Sequence, residues 1–433
     1  MLTVARVSLI SGWLPVVAAV LGVLGVLWLV AVRSRRHVAV TVPLCAVSAA
    51  VVTVAAWYVV EKVWRPFPDP IETVIYVWIG TGLFALFVLV PRLLRSRGWV
   101  GRIVTVLAVV AVVLTASLHV NAKFDAYPTL GTVIGVSDEN ATAFSDIPGF
   151  QGDPVTGDPL DTVWTPPQGQ PSAGRVTSVA IPNTQSGFTA REAKIYLPPA
   201  YFANPRPLLP FMVLLAGQPG SPDDWFNGGK LAETMDTFAA AHAGLSPIVI
   251  VADGTGSEVA NPLCVDSPLG NVATYLAKDV PAWAVANLQI DTNPKHWAIG
   301  GLSYGGTCSL QMATNYPDVY PTFLDLSGQL EPTLGDRQRT LDAAFGGDEK
   351  AFEAVNPVDL MKAKKYPDTA GVFVVGANDN DYRPGVMTLY ADAQAAGMNV
   401  KYLELPGAHS FEVWSAGLIQ QLEWLSQRMG ILS

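Results

Sequence analysis

Ser303, Asp379 and His409, in that chain order, supply a hydroxyl, a carboxylate and an imidazole, the three groups with which a protein can attack a carboxylic ester covalently. Ser303 lies in Trp297-Ala-Ile-Gly-Gly-Leu-Ser-Tyr-Gly-Gly306, a short apolar run followed by Gly301-x-Ser303-x-Gly305. A strand that reverses sharply into a helix strains its turn residue, and glycines two positions to either side remove the Cβ atoms that would collide. This context predicts a serine hydroxyl held out at the end of a strand, within reach of a base. The plainer reading of the same residues is a Gly-rich turn whose serine caps the next helix.

A serine nucleophile needs a base, and the chain has five histidines. His37 lies between two apolar runs and His119 inside another; His242 ends a helix well before the serine, and His296 opens the serine's own strand at its far end. His409 remains, in Leu405-Pro-Gly-Ala-His-Ser-Phe411, a loop after the last strand. The orienting carboxylate is expected on another strand-end loop. In Val372-Phe-Val-Val-Gly-Ala-Asn-Asp379 the apolar strand stops at Gly376, and Asp379 follows three residues later. Asp381 is the alternative, less favoured by its place in the loop, and either acid also reads as an Asx turn or a solvated charge. The developing oxyanion calls for two backbone N–H donors: Tyr304, directly after the serine, and by position Gln218 in Ala216-Gly-Gln-Pro-Gly220. Trp225 follows at a distance that suits a pocket wall, although core packing accounts for it equally well. No metal or cofactor is expected.

These residues need a scaffold, and the pattern around them supplies one. Strands are predicted at 176–181, 189–197, 210–215, 248–252, 296–300, 322–326, 371–375 and 401–405, with helices at 231–241, 272–288, 307–315, 386–396 and 412–429 and a helical excursion reaching 365. Steady alternation of strand and helix implies an α/β domain with a mostly parallel sheet covered on both faces, spanning 174–433. Residues 124–173, rich in Pro, Gly, Asp and Thr, read as a linker.

The first 123 residues are of another kind. They carry 11 Lys and Arg against 3 Asp and Glu, a net of +8; the remaining 16 and 33 give −17, and the two sum to the chain's −9. Apolar runs at 8–32, 38–60, 73–91 and 103–120 are each close to the roughly 20 residues that cross hydrocarbon. A single run after Arg6 would suit a signal peptide; four in series predict a multi-pass anchor, domain 1–123. Arg33, Arg35 and Arg36 follow the first run, and Arg92, Arg95, Arg97 and Arg102 follow the third, so both loops are expected in the cytoplasm. Everything after Lys123 would then face outward from a plasma membrane. His119, the one ionisable group singled out in these runs, reads as an interfacial residue. The acidic body argues against a nucleic-acid partner. Cys45 reads as a small buried hydrophobe, and Cys264 and Cys308 could be bridged or free.

The stretches Ile195-Tyr-Leu-Pro-Pro-Ala-Tyr201, Leu214-Leu-Ala-Gly217 with Asp224-Trp225, Gly301-Leu-Ser-Tyr-Gly-Gly306, Gly376-Ala-Asn-Asp379 and Gly407-Ala-His-Ser-Phe411 resemble the esterase family of α/β-hydrolases that includes esterase D, feruloyl esterases and the antigen 85 mycolyltransferases. The resemblance covers about 191–433, and the anchor is similar to that of actinobacterial membrane-tethered esterases. It implies an α/β-hydrolase fold and a Ser-His-Asp acyl-enzyme mechanism. Two departures stand out: Ala216-Gly217 where many relatives have His-Gly, and an Asp where the mycolyltransferases use Glu, which leans toward hydrolysis. The expected activity is that of a membrane-tethered serine esterase, with the bilayer and an envelope ester as partners: an acylated sugar, a mycolate ester or an aminoacylated lipid. Acyl transfer to a sugar or lipid and a non-catalytic envelope-binding module are the alternatives.

Overall fold

A computed structural model of the chain describes residues 7–96, 98–124, 126–133 and 141–433; Arg6, named above beside the first apolar run, and Arg97, used for orientation, lie outside them. The chain divides into two compact units, Met1–Val136 and Ser137–Ser433.

The first unit contains α1 (Trp13–Val30), α2 (Val42–Tyr58), α3 (Thr73–Arg95) and α4 (Gly98–Phe124). Wider-turned segments at His37–Thr41 and Val59–Trp64 extend α2 at both ends, so the four helices long and apolar enough to cross a membrane include one running His37–Trp64. Leu29, Ala85, Val88, Ala108, Val109 and Val112 form a small core, while Val16, Leu24, Val51, Leu86 and Leu107 face outward. Apolar side chains all round suit a lipid surrounding, in which a helix bonds its interior backbone groups within itself. Arg92 and Arg95 belong to the last turn of α3 instead of the loop beyond it. Arg92 folds back to donate from Nε to the Trp28 carbonyl at 3.1 Å, with its guanidinium over the Trp28 ring. A long stem lets arginine remain helical while its head seeks polar partners.

The second unit is built on eight strands: β1 (Arg175–Val179), β2 (Ala193–Leu197), β3 (Phe211–Leu215), β4 (Ile248–Ala252), β5 (Ala298–Leu302), β6 (Thr322–Leu326), β7 (Ala370–Gly376) and β8 (Asn399–Leu405). Their order is β1-β2-β4-β3-β5-β6-β7-β8. β2 runs antiparallel to β1 and β4, and the other pairings are parallel. Every residue of β3 to β7 is buried. That is why those strands read as largely apolar runs and not as alternating ones, with Thr322 and Asp325 on β6 as the polar exceptions. Covering helices include α5 (Leu231–Ala241), α6 (Val280–Asn287), α7 (Tyr304–Asn315), α8 (Arg383–Ala395) and α9 (Phe411–Arg428). The parallel strands therefore point their C-terminal ends the same way, and the loops beyond those ends converge on one rim.

From Ala141 onward the stretch expected as a linker packs on the α/β unit. Leu160 is buried and its N–H donates to the Gly430 carbonyl at 2.9 Å; Trp164 Nε1 donates to Ala243 O; and the buried Arg206 guanidinium reaches the carbonyls of Pro148 and Gly149. The physical reason is non-local: Pro-rich chain without periodicity can still be ordered when its carbonyls and a few apolar side chains find partners in a folded neighbour.

Candidate active site

Ser303 is the single residue between β5 and α7, and its backbone lies at φ 54°, ψ −116°, where a residue with a Cβ is strained. Close packing leaves no other course. A Cβ on Gly301 would enter the Gly305 backbone, and one on Gly305 would enter the carbonyls of Leu215 and Ala216. The helix thus begins three residues earlier than the pattern predicts, at Tyr304, because the turn is compressed into Ser303 alone. The side chain makes no capping bond, so the capping role is not the one adopted.

His409 and Asp379 meet. His409 Nδ1 donates to Asp379 Oδ2 at 2.8 Å, and Asp379 is buried while His409 keeps about a quarter of its side chain exposed. A carboxylate only accepts, so Nδ1 holds a proton, and it is in the neutral ring that Nε2 carries a lone pair. Tyr382 stacks on the imidazole with centroids 3.9 Å apart, and Trp414 abuts it edge-on at 4.9 Å. The ring is therefore fixed by a hydrogen bond and two aromatic neighbours. Asp381, the alternative acid, is exposed. The other histidines are engaged elsewhere: His37 with Leu29 O, His119 with Thr115 O and the Trp78 ring, His242 with Glu423, and His296 with Asp291.

The 216–218 loop passes beside the serine. A Cβ on Gly217 would stand 3.5 Å from Ser303 Cβ, in ordinary van der Waals contact, and 2.9 Å from Leu302 Cδ1. This brings the Gln218 backbone and the Tyr304 N–H, at the head of α7, to the neighbourhood of Ser303. Gln218 Nε2 donates to Val259 O at 2.7 Å. Trp225 does not wall a pocket: it is fully buried, its Nε1 donates to the Leu215 carbonyl at 3.0 Å, and its ring abuts Phe411 edge-on. It braces the end of β3, as its apolar bulk in a short helix (Asp223–Asn227) permits.

Cys264 and Cys308 are bonded, Cα atoms 5.5 Å apart, tying the loop after β4 to α7. The Tyr304 hydroxyl reinforces the link, donating to Gly254 O at 3.0 Å and accepting from Cys264 N at 3.1 Å. Burial pushes that phenol far above the usual tyrosine range, so it stays neutral and can donate. Two features escaped the sequence reading: the Tyr382 and Trp414 frame, and an ion pair between Arg191 and Asp253 behind the 216–220 loop. The second left one trace, an acid placed directly after an apolar strand. Among the described residues no group of His, Cys, Asp and Glu is arranged to hold a metal ion.

Comparison with known proteins gives this site a context. The family model described as "Putative esterase" matches residues 188–425. An uncharacterized protein of Corynebacterium glutamicum is 41% identical over 395 residues, covering 89% of each chain. Among solved structures, similar chains include a ferulic acid esterase (16% identity, TM-score 0.49, 59% of this chain and 98% of that one) and an S-formylglutathione hydrolase from Agrobacterium tumefaciens (16%, 0.49, 60% and 97%). MPT51 of Mycobacterium tuberculosis is also similar (16%, 0.41, 58% and 97%).

Proposed function

This chain belongs to the esterase family and is a carboxylic-ester hydrolase, and from that premise we propose that Ser303, His409 and Asp379 form its catalytic triad in a membrane-tethered, extracytoplasmic enzyme. His409 Nε2 takes the Ser303 proton as Oγ attacks the ester carbonyl. Asp379 holds the tautomer and stabilises the imidazolium that results. The tetrahedral oxyanion accepts hydrogen bonds from the Tyr304 and Gln218 N–H groups, strongest where charge has developed. Collapse expels the alcohol with the proton returned from His409, and water, activated by the same imidazole, releases the acid. The observation that carries this reading is the strained Ser303 turn at the strand-end rim, with the one histidine of the chain that is oriented by a buried carboxylate.

The substrate class follows from location. A hydrolase on a four-helix anchor works where bilayer esters are, so the reading is of a cell-envelope lipid or acylated sugar. Orientation rests on Arg33, Arg35 and Arg36 in the segment joining α1 and α2, and on a disulfide that belongs in an oxidising compartment.

An active-site fluorophosphonate tests the chemistry. Wild type should be labelled at Ser303 and Ser303→Ala should not; equal labelling of the two would overturn the assignment. Supplying a sugar acceptor separates hydrolysis from transfer, with free acid expected as the faster product. Comparing the lipids of cells that carry wild type or Ser303→Ala then identifies the ester that accumulates.

A further inference from the structure

The hydrolytic steps make no use of Arg191 and Asp253, yet the pair is built with care. Asp253, just past the end of β4, is 1% exposed. Its Oδ2 accepts from the Arg191 backbone N–H at 2.7 Å and from Arg191 Nε at 3.0 Å, while Oδ1 accepts from Nη2 at 2.8 Å. Thr255 Oγ1 and N–H also donate to Oδ1. Burial opposes the charge on Asp253, but the Arg191 bonds outweigh it and hold the carboxyl below the ordinary aspartate range. Arg191 Nη2 has two further acceptors, Thr255 Oγ1 at 2.8 Å and the carbonyl of Gly220 at 2.9 Å. Gly220 closes the 216–220 loop.

That contact changes what the pair is for. The 216–220 loop is fastened to the loop after β4 directly at two points, Gly220 N–H to Glu258 O at 3.0 Å and Gln218 Nε2 to Val259 O, and at a third through Arg191, which joins Gly220 O to Asp253 from its place just before β2. The loop after β4 is fastened to α7 by the Tyr304 hydroxyl and the disulfide. Both backbone N–H groups assigned to the oxyanion are thus tied to one intermediary, Tyr304 directly and Gln218 through Gly220 and Val259. We propose that Arg191 and Asp253 are positioning residues that set the spacing between the Gln218 and Tyr304 donors. A fork fixed by a bidentate carboxylate presents its remaining N–H in one direction, which an ammonium on a flexible stem does not. A fixed donor spacing matters because preorganised N–H groups stabilise the tetrahedral state only if they need not move to meet it. This assignment rests on the serine-hydrolase reading above.

The test uses full-length protein in detergent, with p-nitrophenyl acetate as substrate, phenylboronic acid as a tetrahedral mimic and fluorophosphonate titration to count active sites. Arg191→Lys should lower kcat/KM per titrated site by about 10- to 100-fold, through kcat with KM little changed, and should weaken the boronate in proportion. Arg191→Gly should lose more and be partly restored by added guanidinium, which has a route because the Arg191 side chain is 30% exposed. Should Arg191→Gly fail to fold, Arg191→Lys and Asp253→Asn carry the same readouts. A purely structural role predicts fewer titratable sites of unaltered kcat/KM, boronate affinity unchanged and no rescue, and that result would overturn the proposal. Failure of the hydrolase reading is a separate outcome: Ser303→Ala would turn over like wild type.

Discussion

At the scale of single residues, the two acids of the 376–382 loop make the sharpest contrast. Asp379 is buried and bonded to His409, whereas Asp381, two positions on, faces solvent. Replacing the carboxylate by an amide presents the imidazole with a group that can donate, and so stabilises the wrong tautomer. Asp379→Asn is therefore expected to lower kcat on a p-nitrophenyl ester by about 10²- to 10⁴-fold, and Asp381→Asn by less than about threefold; the opposite ranking would reassign the acid. The aromatic frame gives a second contrast. Tyr382 lies face-on to the ring that becomes cationic, where a π face is favourable by about 0.5–2 kcal/mol. Tyr382→Leu should lower kcat on a p-nitrophenyl ester by more than Tyr382→Phe, which keeps the π face; equal losses would show that the ring stacking plays no part. The residues at this scale that the sequence exposed are those with local syntax: glycines at fixed offsets around Ser303, an acid and a histidine directly after apolar runs. Arg191 and Asp253 stand 62 positions apart, and nothing in the neighbourhood of either one names the other. Trp225 was ambiguous for a related reason, since an indole suits a pocket or a core and only the Leu215 carbonyl decides.

Elements hold the site through their ends. β6 lies beside β5, and Asp325 on β6 pairs in register with Gly301. Its carboxyl is wholly buried against the first turn of α7; Oδ1 accepts from Gly328 N–H at 2.7 Å and Oδ2 has no partner. Burial raises its pKa to about 7 despite the opposing Gly328 bond. The sign of the linkage is fixed: between the unfolded value near 4 and about 7 the folded state holds a proton that the unfolded state has lost. Stability contributed by this group therefore falls as pH rises through that window and is level above it. Asp325→Asn should raise the melting temperature of the α/β unit at pH 8, by an amount equivalent to roughly 2–4 kcal/mol, and change it little at pH 4. Equal shifts at both pH values would show that Asp325 is ionised in the fold. The disulfide belongs to the same scale. Its 44-residue separation corresponds to about 4 kcal/mol of chain entropy withheld from the unfolded state, so paired Cys264→Ser and Cys308→Ser changes should reduce stability by a few kcal/mol, as read by urea midpoint. Element types and order were legible because the buried parallel strands are predominantly apolar runs, even β6 with Thr322 and Asp325 in it. Helix α7 was placed three residues late because tertiary compression at Ser303, which no local pattern encodes, removes the expected loop. Residues 124–173 read as a linker for want of periodicity, and the order of their part from 141 comes from partners such as Arg206 and Gly430 far along the chain.

For the whole molecule, what matters is which side of a membrane the serine occupies. In the proposed topology all four helices that are long and apolar enough to cross a membrane do so, which returns the chain to the side it started from. Two independent features favour the outside. Arginines in the α1–α2 connection and at the end of α3 (Arg33, Arg35, Arg36, Arg92 and Arg95) would be held by the cytoplasmic face during insertion, and a bonded Cys264–Cys308 pair would persist where thiol reductants do not reach. The cysteine inventory makes the prediction simple to check. Of three cysteines two are bonded, so Cys45→Ser leaves no free thiol. Reporter cysteines then report one side each: Ser34→Cys in the arginine loop and Ala363→Cys on the exposed end of the Pro357–Ala363 helix. A membrane-impermeant maleimide should label Ala363→Cys in intact cells and Ser34→Cys only after permeabilisation. The reversed pattern would put the hydrolase among cytoplasmic esters, leave its disulfide in a reducing compartment, and remove the physical ground for an envelope substrate.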